Sequence, residues 1–371
     1  MSKLGSLGAR LYDGEVSFNF VGRWKTWYAM SGIILIIAVG ALFFRGLNLG
    51  IEFRGGADFT VPNATCSIEQ ARSATQSVIG GEPIVTETGN GLIRVQTEPL
   101  TQQQSVDVTK ALGSSCGVAA TDIKVQVVGP TWGGEITQKA IQGLVIFLLL
   151  VTLFLSIYFE WRMAVAALVA LIHDVVITVG IYALTGLEVT PATVIGILTI
   201  LGFSLYDTVV VFDKVRENTR GITGQSTQTY AEAANLAVNQ TLVRSINTSI
   251  VALLPVLAII IVGAGLLGAG TLLDLAVALA VGMAAGAYSS IFIATPFLVQ
   301  LKNGQADIKA LEARVKARRG SAKRGQTAVE EGEAVTATTA DGAATVGAAG
   351  AAATGPRNQP KRQPRSKRGK K

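Results

Sequence analysis

Long runs of apolar positions alternate along this chain with short polar links, and the runs have the length a helix needs to cross a bilayer. About 18 nearly uncharged residues suffice for one crossing. Six such spans are predicted, over Trp24–Phe44, Lys139–Tyr158, Met163–Leu184, Thr190–Phe212, Ile246–Val262 and Thr271–Leu298. The first begins too late and runs too long for a cleavable signal, so it is expected to be retained. Spans two and three are joined only by Phe159–Arg162, and spans three and four by a turn near Gly186, so they must pack as antiparallel neighbours. A Gly-rich link, 263–270, turns the chain between spans five and six.

The segment between the first two spans follows a different rhythm. Strand-like patterning covers Ile51–Val61, Ile84–Thr88, Leu92–Thr97 and Ile123–Val128, and helical patterning follows Ser67 to about Ile79 and Thr101 to Leu112. Gly89-Asn90-Gly91 is a hairpin signal between the middle strands. The order β-α-β-β-α-β matches a ferredoxin-like split βαβ unit. The expected class is therefore an α-helical polytopic membrane protein with one α+β domain inserted between helices one and two. Its parts are an N-terminal segment 1–23, a first span 24–44, the inserted domain 45–138, a bundle of spans two to six over 139–300, and a tail 301–371.

Composition supports the division. Charged residues make up 15% of the 371 and apolar ones 49%, against about 25% charged in ordinary soluble domains. The net charge of +7 belongs entirely to the tail from Lys302 onward. It describes a tail and not a nucleic-acid cleft, so no specific nucleic-acid partner is expected. Gln305–Arg319 reads as a basic amphipathic helix, and the remainder is too poor in large apolar residues to build a core, so disorder is expected there. The basic tail is expected to reinforce orientation near the negative membrane surface, with anionic lipid or ribosomal RNA as the alternative ligands. Lys3, Arg10, Arg23 and Lys25 precede span one, and Lys214, Arg216, Arg220 and Arg244 follow span four, while the links after spans three and five carry no Lys or Arg. Both termini are then cytoplasmic and the inserted domain lies outside.

The only cysteines, Cys66 and Cys116, fall in that inserted domain. The first strand-to-helix loop and the second helix-to-strand loop of the fold share one end, so a bridge is geometrically feasible and an exported location permits it. Closing about fifty residues adds on the order of 4 kcal/mol in the chain-entropy model. Two unpaired thiols are the alternative.

With a single histidine, no Walker loop and no metal-ligand cluster, the sequence offers no enzyme site and no metal site. The informative residues are charges inside spans. Asp174 lies near the middle of span three, and Asp207 lies in span four with Ser204 and Val211 on one helical face. A carboxylate in hydrocarbon costs several kcal/mol unless it is paired or protonated. Arg244, at the start of span five, is the obvious counter-charge, and an Asp207–Arg244 pair that forms and parts would gate a proton. The competing reading is polar glue between helices. His173 reads as a hydrogen-bond partner of Asp174. Asp213, with Lys214, Arg216 and Glu217, reads as a solvated ion-pair cluster at the cytoplasmic mouth. Gly282 and Gly286 form a GxxxG pair that permits close helix approach.

Four segments carry a resemblance. Ser204-Leu-Tyr-Asp-Thr-Val-Val-Val-Phe-Asp-Lys-Val-Arg-Glu-Asn218 resembles the signature of the SecF family. Gly50-Ile-Glu-Phe-Arg-Gly-Gly56 is similar to its G-[IV]-D-F-x-G-G motif, with Glu52 for the usual aspartate and Arg54 where a small polar residue is common. Ala170–Val176 resembles the span-three pattern, and Asn239–Ser249 the start of span five. Gly50, Glu52, Phe53, Gly55, Gly56, Asp213, Arg216, Glu217 and Asn218 are thus family-motif positions. The resemblance implies a six-span half of an RND-superfamily assembly, completed by SecD. That assembly works with the SecYEG channel and the SecA-driven translocase and uses the proton-motive force to draw polypeptide outward. Asp207, Arg244 and Asp174 would form the proton pathway, protons would be the coupling ion with no other cofactor, and the setting would be the cytoplasmic (inner) membrane. The competing functions are half of an RND-type exporter for lipids or small molecules, and a passive translocase scaffold.

Overall fold

Six helices of the computed structural model are long and apolar enough to cross a membrane: Trp24–Arg45, Pro130–Tyr158, Trp161–Thr185, Pro191–Gly224, Tyr230–Val262 and Leu273–Asn303. The structure describes residues 10–11, 16–88, 91–264 and 270–338. The hairpin tip at Gly89-Asn90, most of the link 263–270 and the tail beyond Thr338 lie outside the described residues. The chain divides into two compact units, Met1–Arg318 and Arg319–Lys371.

The spans are α1 (Trp24–Arg45), α5 (Pro130–Tyr158), α6 (Trp161–Thr185), α7 (Pro191–Asn218), α8 (Tyr230–Ala258) and α9 (Gly270–Ser289), the last continued by a π-helical turn at Ser290–Ala294 and by α10 (Thr295–Asn303). Between the first two lie β1 (Asn48–Leu49), α2 (Ile51–Arg54), β2 (Gly56–Val61), α3 (Ile68–Ile79), β3 (Ile84–Thr88), β4 (Leu92–Thr97), α4 (Gln102–Cys116) and β5 (Lys124–Val128). Spans three, four and six are inner helices, with 56%, 44% and 56% of their most apolar window buried, whereas spans one, two and five have 17%, 11% and 11%. The inner helices are lined by small residues that admit close approach. A Cβ on Gly286 would lie 2.7 Å from the Ser204 Cβ, one on Gly196 3.0 Å from that of Ala278, and one on Gly180 2.2 Å from that of Ala38.

Several boundaries move. Span two starts at Pro130 and not at Lys139, because a proline in the first turn has its φ already set and its missing N–H is not needed there. Span five begins at Tyr230 and not near Ile246, opened by a capping box between Thr229 and Glu232 and buried along Ala233, Ala234, Ala237 and Val238. The expected strand over Ile51–Val61 is two elements. Ile51–Arg54 is a helical turn, and the strand starts only at Gly56, after Gly55 and Gly56 adopt φ of +78° and +150°. Those values are open to glycine alone at low cost, so they stop any continuous strand. The basic helix α11 (Ala306–Thr338) also outruns its expected end and continues through residues expected to be disordered. That stretch is rich in Ala, Glu, Lys and Arg, all good helix formers. Its Ile308, Leu311 and Val315 are buried in the main core.

The inserted segment forms a four-stranded antiparallel sheet in the order β3-β4-β2-β5, with β2 central to β4 and β5. Helices α3 and α4 each open with a capping box, at Ser67 and Thr101. They cover one face, where Phe59, Val61, Val95, Val108 and Leu112 make the core. Cys66 and Cys116 are joined by a disulfide at the edge of that core. The β2 register pairs Asp58 with Gln96 and Thr60 with Arg94, which sets those polar side chains on the opposite face. A second, two-stranded parallel ladder joins β1 to β6 (Glu188–Val189), in the link between spans three and four.

Candidate functional site

Two carboxylates sit at the centre of the inner helices, 1% and 4% exposed: Asp174 on α6 and Asp207 on α7. Ser204 and Asp207 are three residues apart and therefore share a face of α7. Ser204 Oγ donates to Asp174 Oδ2 at 2.6 Å. Asp207 is held from two other helices, Ser245 Oγ donating to Oδ1 at 2.6 Å and Ser290 Oγ to Oδ2 at 2.5 Å. Ser289 Oγ donates to Asp174 Oδ2 at 2.8 Å. Successive residues Ser289 and Ser290 thus serve different carboxylates, because 100° of helical rotation between neighbours turns one toward span three and the other toward span four. The π-helical turn spans Ser290–Ala294, shortly before Pro296, which has no N–H to donate to the regular α-helical ladder. Local widening of this kind is common at functional positions.

On the far side of Asp174 a polar line continues. His173 Nδ1 is 3.1 Å from Asp174 Oδ1, and its Nε2 is 3.2 Å from Ser31 Oγ. Ser31 meets the Tyr288 hydroxyl at 3.0 Å, and that hydroxyl donates to the Trp27 carbonyl at 3.3 Å. Histidine therefore bridges span three to span one as well as touching its neighbouring carboxylate.

Arg244 does not meet Asp207. Its guanidinium is exposed and donates to the Tyr206 hydroxyl at 3.1 Å. The reason is angular: Ser245, the next residue along α8, occupies the side that faces Asp207, so Arg244 points about 100° away. Tyr206 is in turn the neighbour of Asp207 and is 50% exposed. Arg244 and Tyr206 make a polar pair on the outer surface of the bundle, and the carboxylate lies behind them.

The remaining motif residues occupy the two ends of the bundle. Asp213 is exposed, Arg216 donates to the Tyr158 carbonyl at 3.3 Å, Lys214 pairs with Glu217 at 2.9 Å, and Asn218 donates to Gln240 at 2.9 Å. At the other end, Gly50–Gly56 forms the crossing where the chain enters the inserted domain. A Cβ on Gly55 would lie 2.9 Å from the Pro130 Cα, and one on Gly56 2.5 Å from the Thr97 carbonyl oxygen. Both glycines are needed for backbone to pass over backbone. Phe53 packs with Tyr182 and Val189 on the bundle, and Glu52 accepts from Gln126 at 3.3 Å while its second oxygen is buried without a partner.

Sequence reasoning missed Ser245, Ser289 and Ser290, although three hydroxyls inside apolar runs are themselves a signal. No group of three metal-ligating side chains occurs among the described residues. The site can instead do acid–base work. A serine hydroxyl both donates and accepts, so a rotor beside each carboxylate accommodates it with or without a proton.

The sequence matches the SecD/SecF GG motif over residues 40–62 and the family of protein export membrane proteins SecD/SecF, C-terminal, over residues 108–304. It is 53% identical to the protein translocase subunit SecF of Streptomyces coelicolor over 365 residues, covering 97% of this chain and 96% of that one. Identity to SecF of Mycobacterium tuberculosis is 44% over 333 residues, covering 86% and 75%. The crystal structure of SecDF from Thermus thermophilus, a translocon-associated membrane protein, superposes with a TM-score of 0.70 at 32% identity. It covers 78% of this chain, which spans only 39% of that longer chain.

Proposed function

Since the chain belongs to the SecD/SecF family of protein-export membrane proteins and is a multi-pass, SecF-type subunit of protein translocase, we propose that it couples proton movement through its inner helices to the outward movement of polypeptide. The coupling ion is the proton, carried by Asp207 with Asp174 beside it. The four-stranded domain is a ferredoxin-like unit on the outer side of the cytoplasmic membrane, with both termini inside. The partner is SecD, and the pair acts at SecYEG beside the SecA-driven motor without enzymatic chemistry of its own.

One observation carries this reading. Asp207 is buried in a helix bundle, its side chain is held among the described residues by two serine hydroxyls, and an arginine adjoins one of them, Ser245. A buried carboxylate without a cation is a poor structural device, since leaving the charge unpaired there costs several kcal/mol. It is a good proton site, because neutralisation removes that cost. Rotation about α8 would exchange Ser245 for Arg244 and favour the ionised form. One charge crossing 100 mV provides about 2.3 kcal/mol for such a cycle. The exposed Arg244–Tyr206 pair supports a partner on that face, since a charge on an apolar span normally faces protein or water. In the Thermus relative, named SecDF, the matching region is part of one longer chain, which supports pairing with SecD.

The deciding experiment is Asp207→Asn in membrane vesicles with the full translocase. The variant should assemble with SecD and lose the export increment that a proton-motive force provides. An unchanged increment would leave the subunit a passive companion.

A further inference from the structure

The sheet of the outer domain is covalently rooted in spans one and two only: β2 follows span one through α2, and β5 runs into span two at Pro130. Neither root touches the carboxylate-bearing helices by sequence. The link between the inserted segment and those helices is made by the short backbone ladder of β1 with β6 and, from the four-stranded sheet itself, by side chains.

Arg94, on β4, donates through Nε to Asp58 Oδ2 and through Nη1 to Glu188 Oε2, both at 2.5 Å. Gln96, two residues along the same face, donates to Glu188 Oε1 at 2.8 Å and to Asp58 Oδ2 at 3.2 Å. Asp58 belongs to the neighbouring strand and is 7% exposed in its side chain, so it fixes the guanidinium within the sheet. Glu188 belongs to the link between spans three and four and is 12% exposed. It stands two residues before Thr190, the N-cap of span four, and its carbonyl accepts from Thr193 in the first turn of that span at 3.5 Å. Among the described residues, the hydrogen bonds from the four-stranded sheet to this link are those of Arg94 and Gln96.

We propose that Arg94 is a positioning residue that ties the outer domain, through Glu188, to the head of the helix bearing Asp207, so that displacement of span four moves the domain. The planar guanidinium suits this task because its fork engages two carboxylates at once, one on each body. Gln96 duplicates the contact to both acids, giving the joint two points of attachment and resistance to rotation. The inference rests on the proton-coupled reading above.

The test uses the full chain with SecD and translocase in membrane vesicles, comparing export with and without a proton-motive force. Arg94→Met and Glu188→Gln should each reduce the force-dependent increment by between about twofold and about thirtyfold, the span expected of a residue along a coupling network. The force-independent rate should be unchanged. The double variant should fall no further than the worse single, since both remove one joint. Resistance of the Cys66–Cys116 bridge to a mild reductant, read by thiol labelling after its addition, reports a folded domain; if Arg94→Met makes the bridge readily reducible, Glu188→Gln, placed outside the domain core, decides alone. A full increment in folded Arg94→Met or in Glu188→Gln, or losses that multiply in the double variant, would overturn the joint. A full increment in Asp207→Asn would instead overturn the proton reading beneath it.

Discussion

Ser290 donates its hydroxyl to Asp207 at 2.5 Å across the interface of spans six and four, from the first residue of a π-helical turn. With Ser245 opposite, it leaves each oxygen of that carboxylate one protein donor. Ser290→Ala should therefore leave a buried acceptor unpaired and cost about 1–3 kcal/mol of stability. Thermal denaturation in detergent reads that cost. In vesicles the pH profile of force-dependent export should shift as well, which loss of packing alone would not produce.

Gly286→Ala tests the close approach that brings these groups together. The new methyl would press on the Ser204 Cβ, a rigid neighbour, and push Ser204 away from Asp174. A destabilisation of about 1–3 kcal/mol is expected from overpacking. At Gly282 an added methyl would meet the buried Ile200, whose Cγ1 lies 2.7 Å from it, so Gly282→Ala should be destabilising as well. An unchanged stability at either position would argue against this geometry.

The Cys66–Cys116 bridge closes a separation of 50 residues in the four-stranded domain. Its reduction should lower the stability of that domain by on the order of 4 kcal/mol. Thiol labelling of the folded protein should require a reductant first, and rapid labelling without one would contradict the bond.

Asp58 gives a pH dependence. Burial pushes its carboxyl above the ordinary carboxylate range, with Arg94 pulling the other way. The folded state therefore holds the Asp58 proton more tightly than the unfolded chain does. The associated penalty is fully present above the folded pKa and is relieved as pH falls through it toward the unfolded value. Stability of the wild type relative to Asp58→Asn should accordingly rise on mild acidification, measured as the difference between their denaturation midpoints. A wild type that loses ground to Asp58→Asn over that range would reverse the sign.

Much of this architecture was legible in the residue pattern. The apolar runs announced six spans because hydrocarbon imposes one chemistry along a whole helix, and the strands Ile84–Thr88 and Leu92–Thr97 stood out by alternation. Asp174 and Asp207 were visible as charges where charge is costly. What escaped was decided by contacts between distant elements. Gly55 and Gly56 fell inside the strand expected over Ile51–Val61, and only the crossing over Pro130 and Thr97 explains their backbone. Arg244 looked like the partner of Asp207 by charge, yet a single residue of helical rotation gave that position to Ser245. Ser289 and Ser290 acquired their roles from the packing of three helices. The joint at Arg94 depends on strand register in one body and a loop in another.

The contrast between inner and outer helices means that the chain records two kinds of information. Where Ile36, Leu149 and Ile261 lie open on spans one, two and five, the surroundings ask only for oiliness, and one greasy residue can be exchanged for another with little consequence. Where Ala166, Ala170 and Gly286 lie inside, a neighbour dictates shape, and a single added methyl is a collision. Tolerance to mutation should thus be lopsided, with permissive stretches and demanding ones set by which solvent, lipid or protein, each helix face meets.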